Sequence, residues 1–148
     1  MQALDAIKLI CKAGAWDYDE NMLTYDVPKV DIAFDEYTLS LYALNTHTLI
    51  LSCILFELPQ DESAAYEILK KGATMTASVW QDHKVNFSLH ESNIVLELNV
   101  NTQSLEETKL INYCQTFLDD CDFFIEHLYS KGEDNNNFSP FSFWGVNP

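Results

Sequence analysis

The alternation of apolar and polar residues predicts a helix followed by three strands in the first part of the chain. Apolar side chains recur at helical spacing over residues 3–13, and Gly14 follows them. Two alternating runs, residues 30–34 and 39–43, then precede Thr48–Glu57, which is nearly continuously apolar, as in a strand covered on both faces. Because the links between these runs are short, we expect an antiparallel meander.

An acidic and irregular stretch separates the first helix from the first strand. Residues 15–28 include the run Trp16–Asn21 and a possible short strand near Met22–Tyr25. Pro28 argues against a central strand here, because proline cannot donate a ladder hydrogen bond.

The next part of the pattern predicts a second helix and a hairpin. Asp61 is the expected N-cap of the helix, and Gly72 lies beyond its last turn. Residues 73–80 are ambiguous. Alternation over residues 85–89 and 94–100 predicts two strands joined by a turn.

The final helix has the clearest apolar stripe of the chain. Ser104–Glu107 has the composition of a capping box, and Gly132 follows the last apolar position, Leu128. The whole pattern predicts a single α+β domain, α-β-β-β-α-β-β-α, with a twisted antiparallel sheet packed by helices. We place this domain at residues 1–131 and expect a flexible C-terminal tail at 132–148. The tail contains four aromatic residues, Phe138, Phe141, Phe143 and Trp144.

The charge of the chain narrows the choice of partners. It carries 23 Asp and Glu against 8 Lys and Arg, a formal net charge of -15, and every cation is a lysine. Such a surface repels nucleic acid, anionic lipid and phosphorylated substrates, and without arginine there is no bidentate phosphate clamp. Since 47% of the residues are hydrophobic, we expect a globular domain whose partner is cationic or bound by apolar contact.

The size and the cysteines indicate a reduced, metal-free core. A chain of 148 residues can bury a sufficient core without metals or disulfides. Cys11, Cys53, Cys114 and Cys121 show neither CxxC nor metal-ligand spacing, and their apolar neighbours predict buried thiols in a reducing cytoplasm. No signal peptide is visible at the start, and the run Cys53–Phe56 is too short to span a membrane.

The residues that carry chemistry in other proteins form no catalytic pattern here. The four histidines, His47, His83, His90 and His127, lack an HxH or HExxH spacing. Adjacent acids such as Asp119–Asp120 arise by chance among 23 carboxylates, and four glycines cannot build a phosphate-binding loop. We therefore predict no enzyme activity, no metal and no cofactor, and keep an enzyme with an unrecognised site as a third hypothesis.

The chain carries more apolar surface than one core needs. Ile7 and Ile10 of the first helix cannot point in one direction, and the third strand has almost no polar residues. Either the helices cover both faces of the sheet, or one face is an apolar groove for another chain.

Several local sequences resemble class I type III secretion chaperones of the Tir-chaperone (CesT-like) group. They are Ile32–Glu36 followed by Tyr37–Leu41, Thr48–Phe56 leading into Glu57–Pro59, Ser63–Leu69, and Leu105–Leu128. The resemblance, which extends over residues 3–130, implies a homodimer in the bacterial cytoplasm. It would hold the N-terminal chaperone-binding segment of a secreted effector extended and secretion-competent, with the secretion-apparatus ATPase as a possible further partner.

The resemblance also implies two binding surfaces. The effector-binding groove would draw on the first helix and first three strands, at Leu4, Ile7, Ile32, Phe34, Leu39, Leu41, Ile50 and Ser52. The dimer interface would draw on the second helix and the next strand, at Tyr66, Ile68, Leu69, Met75, Val85 and Phe87. Because a one-residue shift in register exchanges the faces of a strand, the core face and the partner face stay open.

Two parts of the chain depart from the family pattern. The stretch Trp16–Lys29 is longer than expected, which leaves the start of the first strand open. The tail after Gly132 folds back, engages another chain or is disordered, and its composition favours disorder.

A second function stays open beside the chaperone. The protein could be a regulatory module that sequesters a transcriptional regulator or another secretion component, since an acidic coat competes for basic protein surfaces. Capture of a regulator instead of an effector would distinguish the two.

Overall fold

A five-stranded antiparallel sheet in the order β1-β2-β3-β5-β4 organises the protein. The structure is a computed structural model that describes residues 1–79 and 84–129. Over those residues it contains α1 (Ala3–Gly14), a short 3-10 helix (Glu20–Thr24), β1 (Lys29–Ala33), β2 (Thr38–Asn45), β3 (Thr48–Glu57), α2 (Glu62–Val79), β4 (Asn86–His90), β5 (Asn93–Asn101) and α3 (Glu107–Leu128). The predicted α+β class and the order of helices and strands are confirmed.

β3 lies at the centre of the sheet. β3 pairs with β2 on one side and with β5 on the other, so it has no free edge. Helices α1 and α3 pack against it from one side of the sheet. The described helices thus cover one face of β3, whereas its continuous apolar run predicted cover on both faces.

The register places the core on the face of the sheet that the helices cover. Leu39 lies opposite both Ile32 and Cys53, and Leu41 lies opposite both Val30 and Leu51. Each of these side chains is buried in one cluster with residues of α1 and α3. The helix residues of this cluster include Ala6, Ile7, Ile10, Cys114, Phe117 and Cys121.

Helix α2 is longer than the sequence predicts, because Gly72 does not end it. The helix begins after Asp61, whose Oδ2 accepts a hydrogen bond from the Ala64 N–H at 2.9 Å, as predicted. It then continues through Gly72 to Val79, so the ambiguous residues 73–79 are helical. A Cβ at position 72 would lie 2.2 Å from Phe87 Cζ. This glycine therefore permits the close approach of a phenyl ring instead of terminating the helix.

Two other local predictions were wrong. Residues Glu20–Thr24 form a 3-10 helix instead of a short strand, and Asp19 accepts a hydrogen bond from the Asn21 N–H at 3.0 Å. The capping box at Ser104 does not form, because Ser104 has a positive φ of 62° and α3 begins only at Glu107, without a side-chain cap. At its other end α3 stops at Leu128, whereas Gly132 lies outside the described residues.

The prediction that all four cysteines are buried is confirmed, and none of them is in a disulfide among the described residues. Burial raises the pKa of Cys11 to about 11 and that of Cys114 to about 12. Among the helices described, none is both long and apolar enough to cross a bilayer.

Candidate functional site

The free edge of β1 presents main-chain groups to a further strand. The Ala43 N–H donates to the Pro28 carbonyl at 3.0 Å, and the Phe34 N–H donates to the Tyr37 carbonyl at 2.8 Å. Hydrogen-bonded pairs alternate with non-hydrogen-bonded pairs along an antiparallel ladder. The outward N–H and C=O groups of β1 therefore belong to the alternate residues Lys29, Asp31 and Ala33. Within the described residues, no strand pairs with this edge.

Exposed apolar side chains surround this edge. Tyr25 and Val27, just before β1, are 61% and 47% exposed, and Leu44 at the end of β2 is 58% exposed. We call the edge of β1 together with these three side chains the β1-edge surface. Sequence reasoning missed all three of them. Leu44 could have been found, because it breaks the alternation of Leu41 and Ala43.

The predicted groove residues do not form one cluster, because the sheet divides them. Ile7, Leu39 and Leu41 have no exposed surface, and Ile32 is buried with them under the helices. Leu4 and Phe34 are half-buried on the same side. Ile50 and Ser52 lie on the opposite face. Of the predicted groove residues on the helical side, Leu4 and Phe34 thus retain surface for contact with another chain.

The opposite face of the sheet carries both polar and apolar side chains. The Tyr42 hydroxyl donates to Glu97 Oε2 at 3.1 Å, so the phenol ring crosses β3 beside Ile50, its register partner. Burial, followed by the charge of Glu97, raises the pKa of Tyr42 to about 12. Ile50 is nearly inaccessible, whereas Ile54 is 52% exposed. Helices α1, α2 and α3 pack on the other side, so Ile54 is an apolar side chain that this face presents to solvent.

An aromatic cluster fixes the segment that leads into the β1-edge surface. The ring of Phe34 lies 5.4 Å from Trp16 and 5.4 Å from Tyr37, measured between centroids. Tyr37 in turn hydrogen-bonds Asp122 of α3, and its pKa is raised, mainly by burial. The long acidic stretch is therefore attached to the domain at Trp16, and Tyr18 and Leu23 also pack against the core. Its exposed residues 24–27 come just before β1.

The second candidate surface lies on α2 and β4. Only Gly72, Met75 and Val79 of the 18 residues in α2 are buried. Tyr66 is 61% exposed, and Ile68 and Leu69 are half-buried. An isolated helix that buries so little of itself needs further packing to be stable.

Phe87 joins α2 to the sheet at this surface. Its ring lies against Gly72 and stacks on Phe124 of α3, with 6.0 Å between the centroids. Beside it, Ala73, Thr76 and Ala77 line an open recess of about 300 Å³. We call Tyr66, Ile68, Leu69, Phe87 and this recess the α2–β4 surface. Of the predicted dimer residues, Met75 and Val85 are buried within the domain.

The contact between α2 and α3 brings two basic groups together. Burial lowers the pKa of Lys71. Burial also lowers the pKa of His127, and the charge of Lys71 acts in the same direction, whereas Glu126 opposes it. Residues 1–79 and 84–129 contain no group of three His, Cys, Asp or Glu side chains placed to hold a metal ion.

The sheet, α2 and most of α3 coincide with a known family. The profile of the Tir chaperone protein (CesT) family matches residues 27–123. The chain belongs to the Tir chaperone protein (CesT) family. The family match begins just before β1 and ends inside α3, so it includes the α2–β4 surface and, except for Tyr25, the β1-edge surface. No curated protein matches the chain by sequence.

Solved structures share the fold of this family member at low sequence identity. A chain from the Yersinia pestis type III secretion chaperone SycH in complex with a fragment of YscM2 aligns with a TM-score of 0.55 and 12% identity, over 82% of this chain and 98% of that chain. A chain of the ExsC–ExsE complex aligns with a TM-score of 0.60 and 16% identity, over 84% and 94%. A chain of the HopA1–SchA chaperone–effector complex aligns with a TM-score of 0.52 and 11% identity, over 79% and 88%.

Family membership confirms the resemblance that the local sequences indicated. The protein is a chaperone of the CesT family, and its fold is that of type III secretion chaperones.

Proposed function

We propose that this CesT-family chaperone acts in the bacterial cytoplasm as a homodimer. It binds the N-terminal chaperone-binding segment of one or more secreted effectors and keeps that segment extended, soluble and secretion-competent. The observation that carries the proposal is the combination of the family match with a free sheet edge flanked by exposed apolar side chains. The SycH and SchA structures contain a chaperone with a partner protein, which agrees with this role.

The β1-edge surface suits an unfolded client. An extended peptide can add a strand at Lys29, Asp31 and Ala33 through main-chain hydrogen bonds, which do not depend on its sequence. Tyr25, Val27 and Leu44 give apolar contact beside that strand. Leu4 and Phe34, from the predicted groove set, extend the contact on the helical side. The deeply buried members of the set, such as Leu39 and Leu41, support the groove from beneath.

The α2–β4 surface supports the proposed dimer. Tyr66, Ile68, Leu69 and Phe87 give it an apolar centre, and the small residues Ala73 and Ala77 allow another helix to approach closely. Burial of this surface by a second copy supplies the packing that α2 lacks in the protomer.

The acidic coat supports a carrier role. A formal net charge of -15 keeps a complex soluble while an apolar client is bound. The described residues offer no metal-binding cluster, and the proposed activity is binding without chemical turnover. A role as a regulatory module uses the same surfaces and differs only in the captured protein.

A matched pair of variants tests the proposal. Wild type, Ala33→Pro and Ala33→Val are co-expressed with N-terminal segments of secreted proteins encoded by the same organism, and captured complexes are quantified. Ala33→Pro removes one outward N–H and leaves the hydrogen bonds between β1 and β2 intact, whereas Ala33→Val changes only the side chain. We expect wild type and Ala33→Val to capture a segment and Ala33→Pro to capture about tenfold less, the loss of one hydrogen bond. Failure of wild type to bind any such segment would contradict the proposed function.

A further inference from the structure

The described part of the chain ends close to an exposed apolar side chain of the sheet. The ring of Tyr129, which follows α3, lies 5.4 Å from that of Phe56 in β3, measured between centroids. Phe56 and Leu89 of β4 both lie opposite Ile94 in the register, so the two share one row of the sheet. Leu89 is 46% exposed. From Tyr129, this row leads across the sheet to β4 and the α2–β4 surface.

Helix α2 lies beside the same point. The charge of Lys71 acts on His127 in the last turn of α3, and the ring of Phe87 stacks on Phe124, one turn earlier. Ala77, in the open recess, comes six residues after Lys71, which is about 9 Å along a helix. The α2–β4 surface is therefore close to the place where the described chain ends.

The sequence continues from this point with a run of aromatic residues. Residues 135–148 contain no charged side chain, and residues 138–144, which we call the aromatic segment, include Phe138, Phe141, Phe143 and Trp144. Phe138 follows Tyr129 by nine residues, and an extended chain spans about 3.3–3.6 Å per residue, or about 30 Å in all. Helix α2, with 18 residues, is about 27 Å long. The aromatic segment can therefore reach the whole α2–β4 surface.

Charge favours the α2–β4 surface over the rest of the domain. Glu133 and Asp134 precede the aromatic segment, whereas Lys70 and Lys71 of α2 are the one pair of adjacent cations in the sequence. The acidic pair begins four residues after Tyr129, within about 14 Å of extended chain. On a protein with a formal net charge of -15, most other surfaces repel these carboxylates. The two lysines therefore direct this part of the chain to α2.

We propose that the aromatic segment docks on the α2–β4 surface of its own protomer, guided by the attraction between the acidic pair and the two lysines. Its rings cover Phe87 and the recess, and they supply packing that α2 lacks in the described domain. The inference rests on the proposed function, because the same surface is the proposed dimer interface. A second copy must displace the aromatic segment before it can bind, so the segment regulates assembly of the dimer.

Cross-linking of the full chain tests where the aromatic segment docks. The variant Ala73→Cys/Ser142→Cys places one new thiol in the recess and one in the segment, whereas the four native thiols are buried. A short bismaleimide is added, the products are separated by size in a denaturing gel, and the joined peptides are identified by mass spectrometry. We expect a link between positions 73 and 142 in a product of single-chain size.

The matched control is Ala13→Cys/Ser142→Cys. Ala13 is also an exposed alanine of a helix and lines another open recess, of about 470 Å³, between α1 and α3. The control should cross-link at least about tenfold less, because docking raises the effective concentration of the segment only at its own surface. Equal cross-linking of both variants would mean that the segment docks nowhere in particular. A product of two-chain size at position 73 would mean that it binds a second copy. Either result would overturn the proposal.

Sedimentation equilibrium measures the competition with the dimer. Two full-length variants carry three serines each: Phe141→Ser/Phe143→Ser/Trp144→Ser removes three rings, and Asn135→Ser/Asn136→Ser/Asn137→Ser removes none. Because both copies of a symmetric dimer must expose the surface, docking in about two thirds of the free protomers lowers the apparent affinity about tenfold. The variant without the three rings should therefore dimerise about tenfold more tightly than wild type, and the asparagine variant should match wild type. Equal affinity of all three proteins would refute the competition.

Client capture separates this inference from the function on which it rests. If wild type captures a secreted segment and the two cross-linking variants behave alike, the docking fails and the chaperone function stands. If wild type captures no secreted segment, the proposed function itself fails, and the cross-link at position 73 still decides the docking.

Discussion

The substitution Gly72→Ala should destabilise the wild-type protein and stabilise a variant that lacks the Phe87 ring. In wild type, a Cβ at position 72 would lie 2.2 Å from Phe87 Cζ and 2.6 Å from both Cε atoms. Because carbon atoms pack at about 3.5–4.0 Å, the ring must withdraw by more than about 1 Å. Phe124 stacks on the same ring and opposes that movement.

Two opposing contributions determine how much Gly72→Ala changes the free energy of unfolding. Overpacking a core contact costs about 1–3 kcal/mol. Alanine inside a helix gains about 1 kcal/mol over glycine. Gly72→Ala should therefore lower the free energy of unfolding of wild type by up to about 2 kcal/mol. In a Phe87→Ala background the clash is absent, and Gly72→Ala should raise the free energy of unfolding by about 1 kcal/mol.

Urea denaturation of the four proteins, followed by circular dichroism, measures this double-mutant cycle. All four proteins are compared at one concentration, because the proposed dimerisation would make apparent stability depend on concentration. If Gly72→Ala stabilises both backgrounds equally, Phe87 does not rest on Gly72, and the account of the long α2 helix is wrong.

Three further predictions follow from local contacts. Asp61→Ala should cost about 1 kcal/mol through loss of the N-cap of α2, and Gln60→Ala should be close to neutral in the same denaturation assay; equal effects would contradict the cap. The pKa of Tyr42 is raised to about 12 in the folded state and lies near 10 in the unfolded chain. The contribution of its protonated hydroxyl to stability is therefore complete below about pH 10 and is lost as the pH rises toward 12. Melting temperatures from pH 9 to 12 should therefore fall more steeply for wild type than for Tyr42→Phe, and parallel curves would refute the assignment. None of the four buried thiols should react with Ellman's reagent in the native protein at pH 8, and all four should react in urea; fast native labelling would contradict the burial.

Periodicity was sufficient to predict the order of helices and strands. Alternation in the sequence identified four of the five strands, and the continuous apolar run identified β3. That run predicted cover on both faces of β3, whereas the described helices cover one face. Asp61 was identified as a cap because its hydrogen bond is local, between residues three apart. Such features depend on neighbours in the chain, which the sequence displays directly.

The mistakes arose where distant contacts override local preference. Gly72 has the position of a helix terminator, but a phenyl ring from β4, 15 residues later, accounts for it. Ser104 has the right spacing for a capping box, but the turn after β5 places it at positive φ. Neither the ring nor the turn geometry can be deduced from the local sequence.

The candidate site was only partly predictable for the same reason. Choosing groove residues required the register of the strands, and the sequence left the two faces of each strand equivalent. The structure puts Leu39 and Leu41 under the helices and Ile50 on the other face. Tyr25 and Val27 lie before β1, where alternation gives no signal, whereas Leu44 near the end of β2 breaks the alternation of its strand and could have been found.

Residue-resolved amide hydrogen exchange on β1, with and without a bound client segment, tests the central claim most directly. In the free protein the outward amides of Lys29, Asp31 and Ala33 should exchange fast, and those of Val30 and Ile32, which face β2, should exchange slowly. Saturation with a client should slow the three outward amides at least about tenfold, because a new strand satisfies them. If a saturating client leaves these three amides unchanged, the protein does not hold its client along β1, and the account is contradicted.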